Sequence, residues 1–596
     1  MKTRVTDYIS NRIYELGVEH VFTLTGGGAM FLNDGVASHP HLAAVCSHHE
    51  QASAMAGVGY AKYSGKIGVV MPTTGCGSTN TITGLLEAWQ DNVATLFISG
   101  QVNKAQTTRN SDLPLRQLGV QEADIIEIVK SITKYSVMVN DPEMIAYHMD
   151  RAIYEAVSGR PGPVWIDVPM DVQGTYIETE ILRRYQAPEA DCAPSSQDLR
   201  IVNEYFSSAE RPVILAGNGI RLAGAQPYFQ DFVERYNIPV VTTFLGVDLL
   251  PSSHPLNIGR VGIKGSRAGN FAMQNADLIL AIGTRLGVPV TGYRYELFAR
   301  EAKLVVVDID PYEHQKETVK IHHMVEADAK EFIDNVALVR AKGTWSETCL
   351  KWKEQWPVAS EDHFKSDEGG ISLYAFMKVL SENKRKDDVV VSDAGSAFYV
   401  SSQALQVNEE QRYITSGGQA DMGFTLPASI GVCVARGKKD VIGITGDGSF
   451  QSNIQELQTI VYNQFPVKLF VWNNEGYLSI RTTQRKFFED RFIGTDKDSG
   501  VSFPNLRKIA NAYGIKYFKI SKIKHLKTTI KKVLEYEGPV ICEVMCQKWD
   551  SVLPTIGSKK LPDGRLISRP LEDMYPFLDR EEFYNNMIAK PVEEEE

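Results

Sequence analysis

Two short segments of the 596-residue chain bring together residue types suited to one kind of chemistry. Gly446-Asp447-Gly448 directly follows an apolar run, and Asn473-Asn474 directly follows the next, with residues 449–472 between them. Carboxylate, amide and backbone carbonyl oxygens at the ends of two neighbouring strands can hold Mg²⁺ in an octahedral shell completed by phosphate oxygens and water. Gly448 is expected to let the backbone approach the phosphates, and the helix after it to turn its positive N-terminus towards them. The chemistry implied is capture of a diphosphate at strand carboxyl ends, where α/β sheets usually bind ligands. Either segment alone is ordinary loop composition; the pair, at two strand ends, is specific. A third candidate is Glu50 in SHHEQASAMAGVGYAK, which follows a strand and opens an Ala/Gly-rich helix able to pack closely. Taken alone, an acid at a helix start is explained by the helix dipole.

The elements needed to position these residues can be read from periodicity. Apolar Ile9, Ile13 and Leu16 mark a helix, followed by a strand from Val21 to Leu24 and the turn Gly26-Gly27-Gly28. Strands are expected at 42–46, 67–71, 94–98 and 164–168, with helices at 50–63 and 79–89. A second unit carries strands at 212–216, 239–243, 278–282 and 304–309, and a third at 389–392, 441–445, 467–472 and 540–544. Alternating strands and helices predict parallel sheets covered by helices, hence an α/β protein of three consecutive doubly wound domains. The expected division is 1–172, a Pro/Ser-containing linker 173–197, 198–342, a polar, Trp-containing linker 343–370, 371–547, and a turn-rich C-terminal arm and frayed tail over 548–596.

Composition narrows the function classes. Hydrophobic residues make up 43% and charged residues 23%, near the averages of globular proteins, which excludes wholesale disorder and coiled-coil architecture. A net charge of −10 repels nucleic acid phosphates. The seven cysteines are scattered without a metal-site spacing, no window approaches a membrane span, and the N-terminus lacks a signal-peptide core. A cytoplasmic protein with reduced thiols, no membrane and no nucleic acid partner is expected. A dinucleotide-dependent dehydrogenase is disfavoured, because Gly217-Asn218-Gly219 is followed by Leu222 where the fingerprint needs its third glycine. A non-catalytic cofactor binder would have no need of Glu50.

The GDG and NN pair resembles the diphosphate-Mg²⁺ motif of thiamine diphosphate (ThDP) enzymes. Pro72 to Asn80 (PTTGCGSTN), Gly100-Gln101-Val102, Gln121-Glu122, SITK at 131–134, GRPGPVWIDVP at 159–169 and DMGFTLPASIG at 421–431 resemble the acetolactate synthase branch of that family. The resemblance runs to about residue 547 in the order pyrimidine domain, central domain, pyrophosphate domain. It implies that Asp447, Asn474 and the Gly476 carbonyl ligate Mg²⁺ and that Glu50 is the catalytic glutamate at the aminopyrimidine. It implies further that Gln121 belongs to the catalytic site and that Met422 wedges between the two cofactor rings. Gly26, Gly27, Thr73, Gly75, Gly446, Gly448, Ser449 and Tyr477 complete the implied cofactor-binding set. The implied assembly is a homodimer or homotetramer with each active site at a dimer interface. FAD is left open: Arg285 and the Asp308-Ile309-Asp310-Pro311 strand end match flavin-binding relatives, but related central domains persist without flavin.

The acceptor half departs from acetolactate synthase. Where the family's GxRFDDRVTG element places an Arg for the acceptor carboxylate, this chain has Pro289. The family's acceptor-selecting Trp is Thr483, its FQE is Val120-Gln121-Glu122, and its M-H-G is Ile263-Lys264-Gly265. A neutral ring cannot make the bidentate contact a carboxylate wants. The expected reaction is therefore decarboxylation of a 2-oxo acid donor, pyruvate, with transfer of the acyl carbanion to a different carbonyl acceptor such as a phosphorylated or nucleotide-linked keto-sugar. Lys559, Lys560, Arg565 and Arg569 on the arm are the candidate contacts to the acceptor's anion. Acetolactate synthase proper and simple 2-oxo acid decarboxylase are the alternatives.

Overall fold

A computed structural model describes residues 2–188, 192–365, 369–560 and 566–592, with the side chains of Lys559, Lys560 and Leu566 excepted. It contains three six-stranded sheets, all parallel. In space the first runs Ala43–Cys46, His20–Thr23, Gly68–Met71, Thr95–Gln101, Pro163–Pro169, Tyr135–Met138. The third repeats that order with Arg412–Thr415, Val389–Ser392, Val441–Gly446, Val467–Asn473, Val540–Met545, Lys516–Ile520. The second runs Asn257–Arg260, Val240–Thr242, Pro212–Ala216, Leu278–Ile282, Lys303–Asp308, His323–Glu326. Their central strands are buried on both faces, as expected of apolar runs sandwiched between helices. In each sheet the connections reverse direction beside the first strand. The crevice opened there lies at the carboxyl ends of two neighbouring strands.

The first and third domains share one core, even though a whole domain separates them in sequence. Phe22, Val45 and Met55 belong to the same buried cluster as Phe424, Ile430 and Val471. Helix Glu50–Ser64 crosses helix Thr425–Ala435 so closely that side chains cannot intervene. A Cβ on Gly431 would sit 1.9 Å from the Ala56 carbonyl oxygen, and one on Gly59 2.6 Å from that of Ala428. Beside this crossing, Lys62 donates to Asp91 at 2.6 Å and to the Thr415 carbonyl at 2.7 Å. Ser416 Oγ donates to Glu87 at 2.6 Å, and the Gly417 and Gly418 N–H groups donate to Asp91. Burial lifts the Glu87 carboxyl well above its ordinary range, whereas Lys62 and the N–H donors outweigh burial at Asp91 and lower it.

Two stretches expected to be linkers are built into domains. Tyr176–Glu178 pairs antiparallel with Lys2–Arg4 and closes the first domain. Residues 343–370 begin with helix Gly343–Gln355, which packs on the central domain: Trp345 Nε1 donates to the Pro212 carbonyl, and Trp352 meets Phe271 with ring centroids 5.7 Å apart. Its tryptophans face the core, which the polar residues around them hide in the sequence. The arm is ordered and integrated with the central domain. Thr555–Ile556 pairs with Met574–Tyr575, and helix Arg580–Asn586 places Phe583 against Phe271. Glu572 accepts from Gln274 and Arg300 of the central domain. The frayed end expected at 593–596 lies outside the described residues.

Gly431→Val forces the helix crossing apart and is expected to cost about 3 kcal/mol by overpacking. Gly343→Ala, whose added Cβ meets nothing nearer than 3.9 Å, should stay within about 0.5 kcal/mol of the parent. Thermal and urea unfolding monitored by far-UV circular dichroism compare the two.

Candidate active site

The residues whose types and spacing pointed to diphosphate chemistry gather at strand carboxyl ends, Asp447 beside the reversal and Asn474 at the end of the next strand out. In the third domain, Asp447 leaves the end of Val441–Gly446 and is 3% exposed. Its Oδ1 accepts from Gly448 N–H at 2.8 Å, and its Oδ2 accepts from Gly476 N–H at 3.1 Å, so one carboxylate ties together the loops at two adjacent strand ends. Burial pushes the Asp447 carboxyl up to about 7, against the pull of those N–H groups and of Arg481. Asn474 is also buried, and its Oδ1 has no hydrogen-bond partner. A buried carboxylate and an orphaned amide oxygen at neighbouring strand ends form the donor set a hard dication takes, and such an ion would return Asp447 to its charged form.

Two local expectations change. Gly448 is glycine because Tyr477 lies over it: a Cβ there would be 2.1 Å from Tyr477 Cε1, whereas Gly446 faces open space. The chain leaves Gly448 in a five-residue 3₁₀ turn, Ser449–Asn453, and not in an α-helix, so no helix dipole is aimed at the loop. Ser449 has a structural task. Its Oγ donates to Asp393 Oδ2 at 2.6 Å and accepts from Gly423 N–H at 2.7 Å, fixing the turn that carries Met422. Met422 itself is 46% exposed beside this crevice.

Arg481 carries no signal in the sequence, where LSIRTTQRKFF presents it as one cation on a polar helix. It is fully buried. Its Nη2 donates to the Asn474 carbonyl at 3.0 Å and its Nη1 to the Glu475 carbonyl at 3.2 Å, so the guanidinium grips the loop presenting Asn474 and Gly476. Gly476 has φ +144°, and a Cβ on it would strike the Thr495 carbonyl oxygen at 2.0 Å.

The first domain carries the other half. Glu50 opens its helix, is 7% exposed, and accepts from Asn80 Nδ2 through Oε2 at 2.9 Å. Oε1 lies 3.4 Å from where a Gly77 Cβ would be. Thr73 packs against Gly26, leaving no room for a Cβ there, and its buried Oγ1 has no partner. Gly75, at φ +61°, abuts the backbone of Gln121, itself at φ +59°. Glu122 is a buried anchor accepting from Thr108 and Leu118, which leaves Gln121 turned outward. Gly27 faces open space. Thus Glu50, Thr73, Gly75, Gly77 and Gln121 gather in one half, and Asp447, Asn474, Gly476, Tyr477 and Ser449 in the other. Among the described residues no hydrogen bond joins these two groups directly within one chain. The nearest links are His48 N–H to Glu456 and Asn453 Nδ2 to Gln51, the latter also donating to the Gly423 carbonyl.

The central domain has its own cleft, about 580 Å³, at the reversal point between Gly217 and Gly283. Asn218, Thr284, Arg285 and Asp308 line it, and Arg160 of the first domain closes one side through ion pairs to Asp310 and Glu313. On the arm, Arg569 is engaged by Asp573 at 2.6 Å and lies over Phe577. That pairing removes it from the expected acceptor contacts. Arg565, like the side chains of Lys559 and Lys560, lies outside the described residues.

Comparison with known proteins agrees with this geometry. Residues 3–128 match the family described as thiamine pyrophosphate enzyme, N-terminal TPP binding domain, residues 199–336 its central domain, and residues 393–544 its C-terminal TPP binding domain. The chain is 34% identical over 561 residues to the acetolactate synthase large subunit of Lactococcus lactis, covering 93% of this chain and 94% of that one. It is 30% identical over 564 residues to the acetolactate synthase isozyme 2 large subunit of Escherichia coli, covering 94% and 97%. It is 32% identical over 578 residues to the chloroplastic acetolactate synthase 1 of Zea mays, covering 93% and 87%.

Replacing Arg481 by Met removes the grip on the 474–476 loop while sparing every candidate metal ligand. Titration calorimetry with Mg²⁺ and the diphosphate cofactor should show binding weakened about 10- to 100-fold, and abolished in Asp447→Ala.

Proposed function

The chain belongs to the thiamine pyrophosphate enzymes, and on that premise we propose that it decarboxylates pyruvate and joins the acyl unit to a phosphorylated or nucleotide-linked keto-sugar rather than to a second 2-oxo acid. That it is a ThDP-dependent, acetolactate synthase-like enzyme with decarboxylase and carboligase chemistry is established by the family. Thiamine diphosphate, when bound, supplies the carbon nucleophile that attacks the 2-oxo acid.

The remaining tasks fall to residues of this chain. Asp447, Asn474 and the Gly476 carbonyl are the groups that would hold the diphosphate's Mg²⁺: the first two are buried, and Asn474 Oδ1 has no partner. Glu50 is the proton-handling carboxylate: Asn80 fixes one oxygen and leaves the other available. Thr73 and Gln121 border the same half, and Met422 extends from the other. In the central cleft, Asn218, Arg285 and Asp308 are the residues that would hold FAD, and the yellow absorbance of the purified protein tests its presence.

The observation that carries the choice of acceptor is the loop around Pro289. Its carbonyl accepts from Ile263 N–H at 3.0 Å, and its ring offers no donor where the family's acceptor carboxylate is bound. Thr483 is exposed and leaves that wall open. Separation of the two half-sites within one chain supports a homo-oligomer whose sites are completed by a partner copy, and the exposed apolar loop with Leu113, Leu118 and Val120 beside Gln121 offers contact surface for it. A cytoplasmic location belongs to the same proposal. Among the described residues no helix is long and apolar enough to cross a membrane.

Glu50→Gln should bind ThDP normally and lose about 10²- to 10⁴-fold in turnover. Mixing it with Asp447→Ala chains should restore part of the activity, since a mixed dimer contains one intact site; no recovery after verified subunit exchange would place each site within one chain. For the acceptor, incubation with ThDP, Mg²⁺, pyruvate and individual keto-sugars, read by CO₂ release and product mass, should give a cross-product. Acetolactate formed from pyruvate alone at the same or a higher rate would overturn the keto-sugar reading.

A further inference from the structure

Lys264 is a partly buried cation that the chemistry described so far does not use. It follows Ile263, whose N–H bonds the Pro289 carbonyl, and a Cβ on Gly262 would lie 1.9 Å from that same oxygen. Lys264 is therefore on the loop packed directly against the position where the acceptor-binding Arg is missing. Its ammonium lies 5.8 Å from the Tyr399 ring centroid, on helix Gly395–Ala404, which starts just after the Asp393 that holds Ser449. The arm closes a further side, with Ile556 N–H bonded to the Ile263 carbonyl and Gln403 bridging the carbonyls of Lys264 and Pro554. Lys486 comes from the helix beginning at Leu478, immediately after the Gly476-Tyr477 loop, and donates to Ser558 Oγ of the arm at 2.7 Å.

Among the described residues the charge paired within this cluster is of one sign. Among the described residues no carboxylate lies within ion-pair distance of Lys264 or Lys486, and the other charge acting on Lys264 is that of buried Arg260. Arg260 is itself satisfied only by Ser402 and by the Phe244 ring, with Nε and Nη2 unpartnered. Burial, together with Arg260 and Lys486, pushes the Lys264 ammonium down to about 8. The arm draws the two cations to one place, since Ile556 bonds the residue before Lys264 and Ser558 bonds Lys486; keeping them there without a counter-charge among the described residues is costly, and an arriving anion removes that cost.

We propose that Lys264 and Lys486 form an anion-binding subsite at the mouth of the cofactor crevice that takes the phosphate of the acceptor, in place of the guanidinium absent at position 289. The assignment rests on the anionic-acceptor reading above and replaces the arm cations as its recognition element. Lysine ammonium groups suit a phosphate as point charges on flexible stems, without demanding the fixed planar approach of a carboxylate on arginine. A phosphomonoester and a nucleoside diphosphate share this chemistry.

The test titrates the ThDP-Mg²⁺ holoenzyme with inorganic phosphate and, separately, with UDP, in the parent, Lys264→Met, Lys264→Arg, Lys486→Met and the remote control Lys531→Met. Lys264→Met and Lys486→Met should each weaken anion binding about 10- to 100-fold, Lys264→Arg should recover much of it, and Lys531→Met should match the parent. Lys486→Met, which stands on an exposed position, should keep the parent's thermal unfolding midpoint and ThDP affinity and so guards against misfolding of the Lys264 variants. Tighter binding of UDP than of phosphate assigns the subsite to a nucleotide-linked acceptor, and equal binding to a phosphomonoester. Unchanged anion affinity in both Met variants overturns the proposal. If the anion dependence holds but no keto-sugar cross-product forms, the acceptor reading fails and the subsite stands. If cross-product forms with a KM indifferent to both lysines, the subsite fails and the acceptor reading stands.

Discussion

Everything in this molecule that bears on chemistry is referred to one contact, the crossing of helices Glu50–Ser64 and Thr425–Ala435 at Gly59 and Gly431. Backbone meets backbone there, so the separation of the first and third domains is set by peptide geometry rather than by adjustable side chains. One helix begins with Glu50, and the other is entered from the Asp421-Met422-Gly423 turn. The buried Lys62 cluster beside the crossing adds direction. A lysine shared by two carboxyl groups and a backbone carbonyl contributes little net stability in so buried a place, but leaves few alternative registers for the two helices.

Each half-site is then a cluster of strand carboxyl ends with incomplete hydrogen bonding. Interiors rarely leave polar atoms without partners, yet Thr73 Oγ1 in one half-site and Asn474 Oδ1 in the other are both orphaned. Around them the supports are anchored: Asn80 donates to Glu50, Asp393 accepts from Ser449, and both Nη groups of Arg481 hold the 474–476 loop. Rigid support with unmet demand at the centre is the pattern of a site organised before its ligand arrives.

The fold class is legible in the sequence because the inner strands are uninterrupted apolar runs, and Pro212–Ala216, Leu278–Ile282 and Val389–Ser392 can be located to the residue. The outer strands Tyr135–Met138, His323–Glu326, Arg412–Thr415 and Lys516–Ile520 escape such a reading, since an edge position tolerates the polar residues that break an apolar run. Among the site residues, Asp447, Asn474 and Glu50 announce themselves by type and spacing. The reason for Gly448 does not, because nothing in a linear motif shows that Tyr477 will fold back over it. Arg481 is invisible for a related cause: its burial depends on Trp549 and on the Lys548 carbonyl, contributed from far along the chain. The arm cations are overvalued in the sequence, since a charge read there comes without its counter-ion, here Asp573 for Arg569.

The shared core of the first and third domains also says something about how such a chain can change. Residues between them form a separate sheet with its own buried clusters, braced by an arm that returns to it from the far end. Topologically the central domain is a cassette inserted into a two-domain body, and the arm is its detached edge. The loops at Lys264 and Pro289 both belong to that cassette, whereas Glu50, Asp447 and Asn474 belong to the body. Acceptor choice can therefore drift, or be transplanted between relatives by exchanging the cassette and its arm together with helix Leu478–Phe488 that meets them, while the crossing of the two long helices is left untouched.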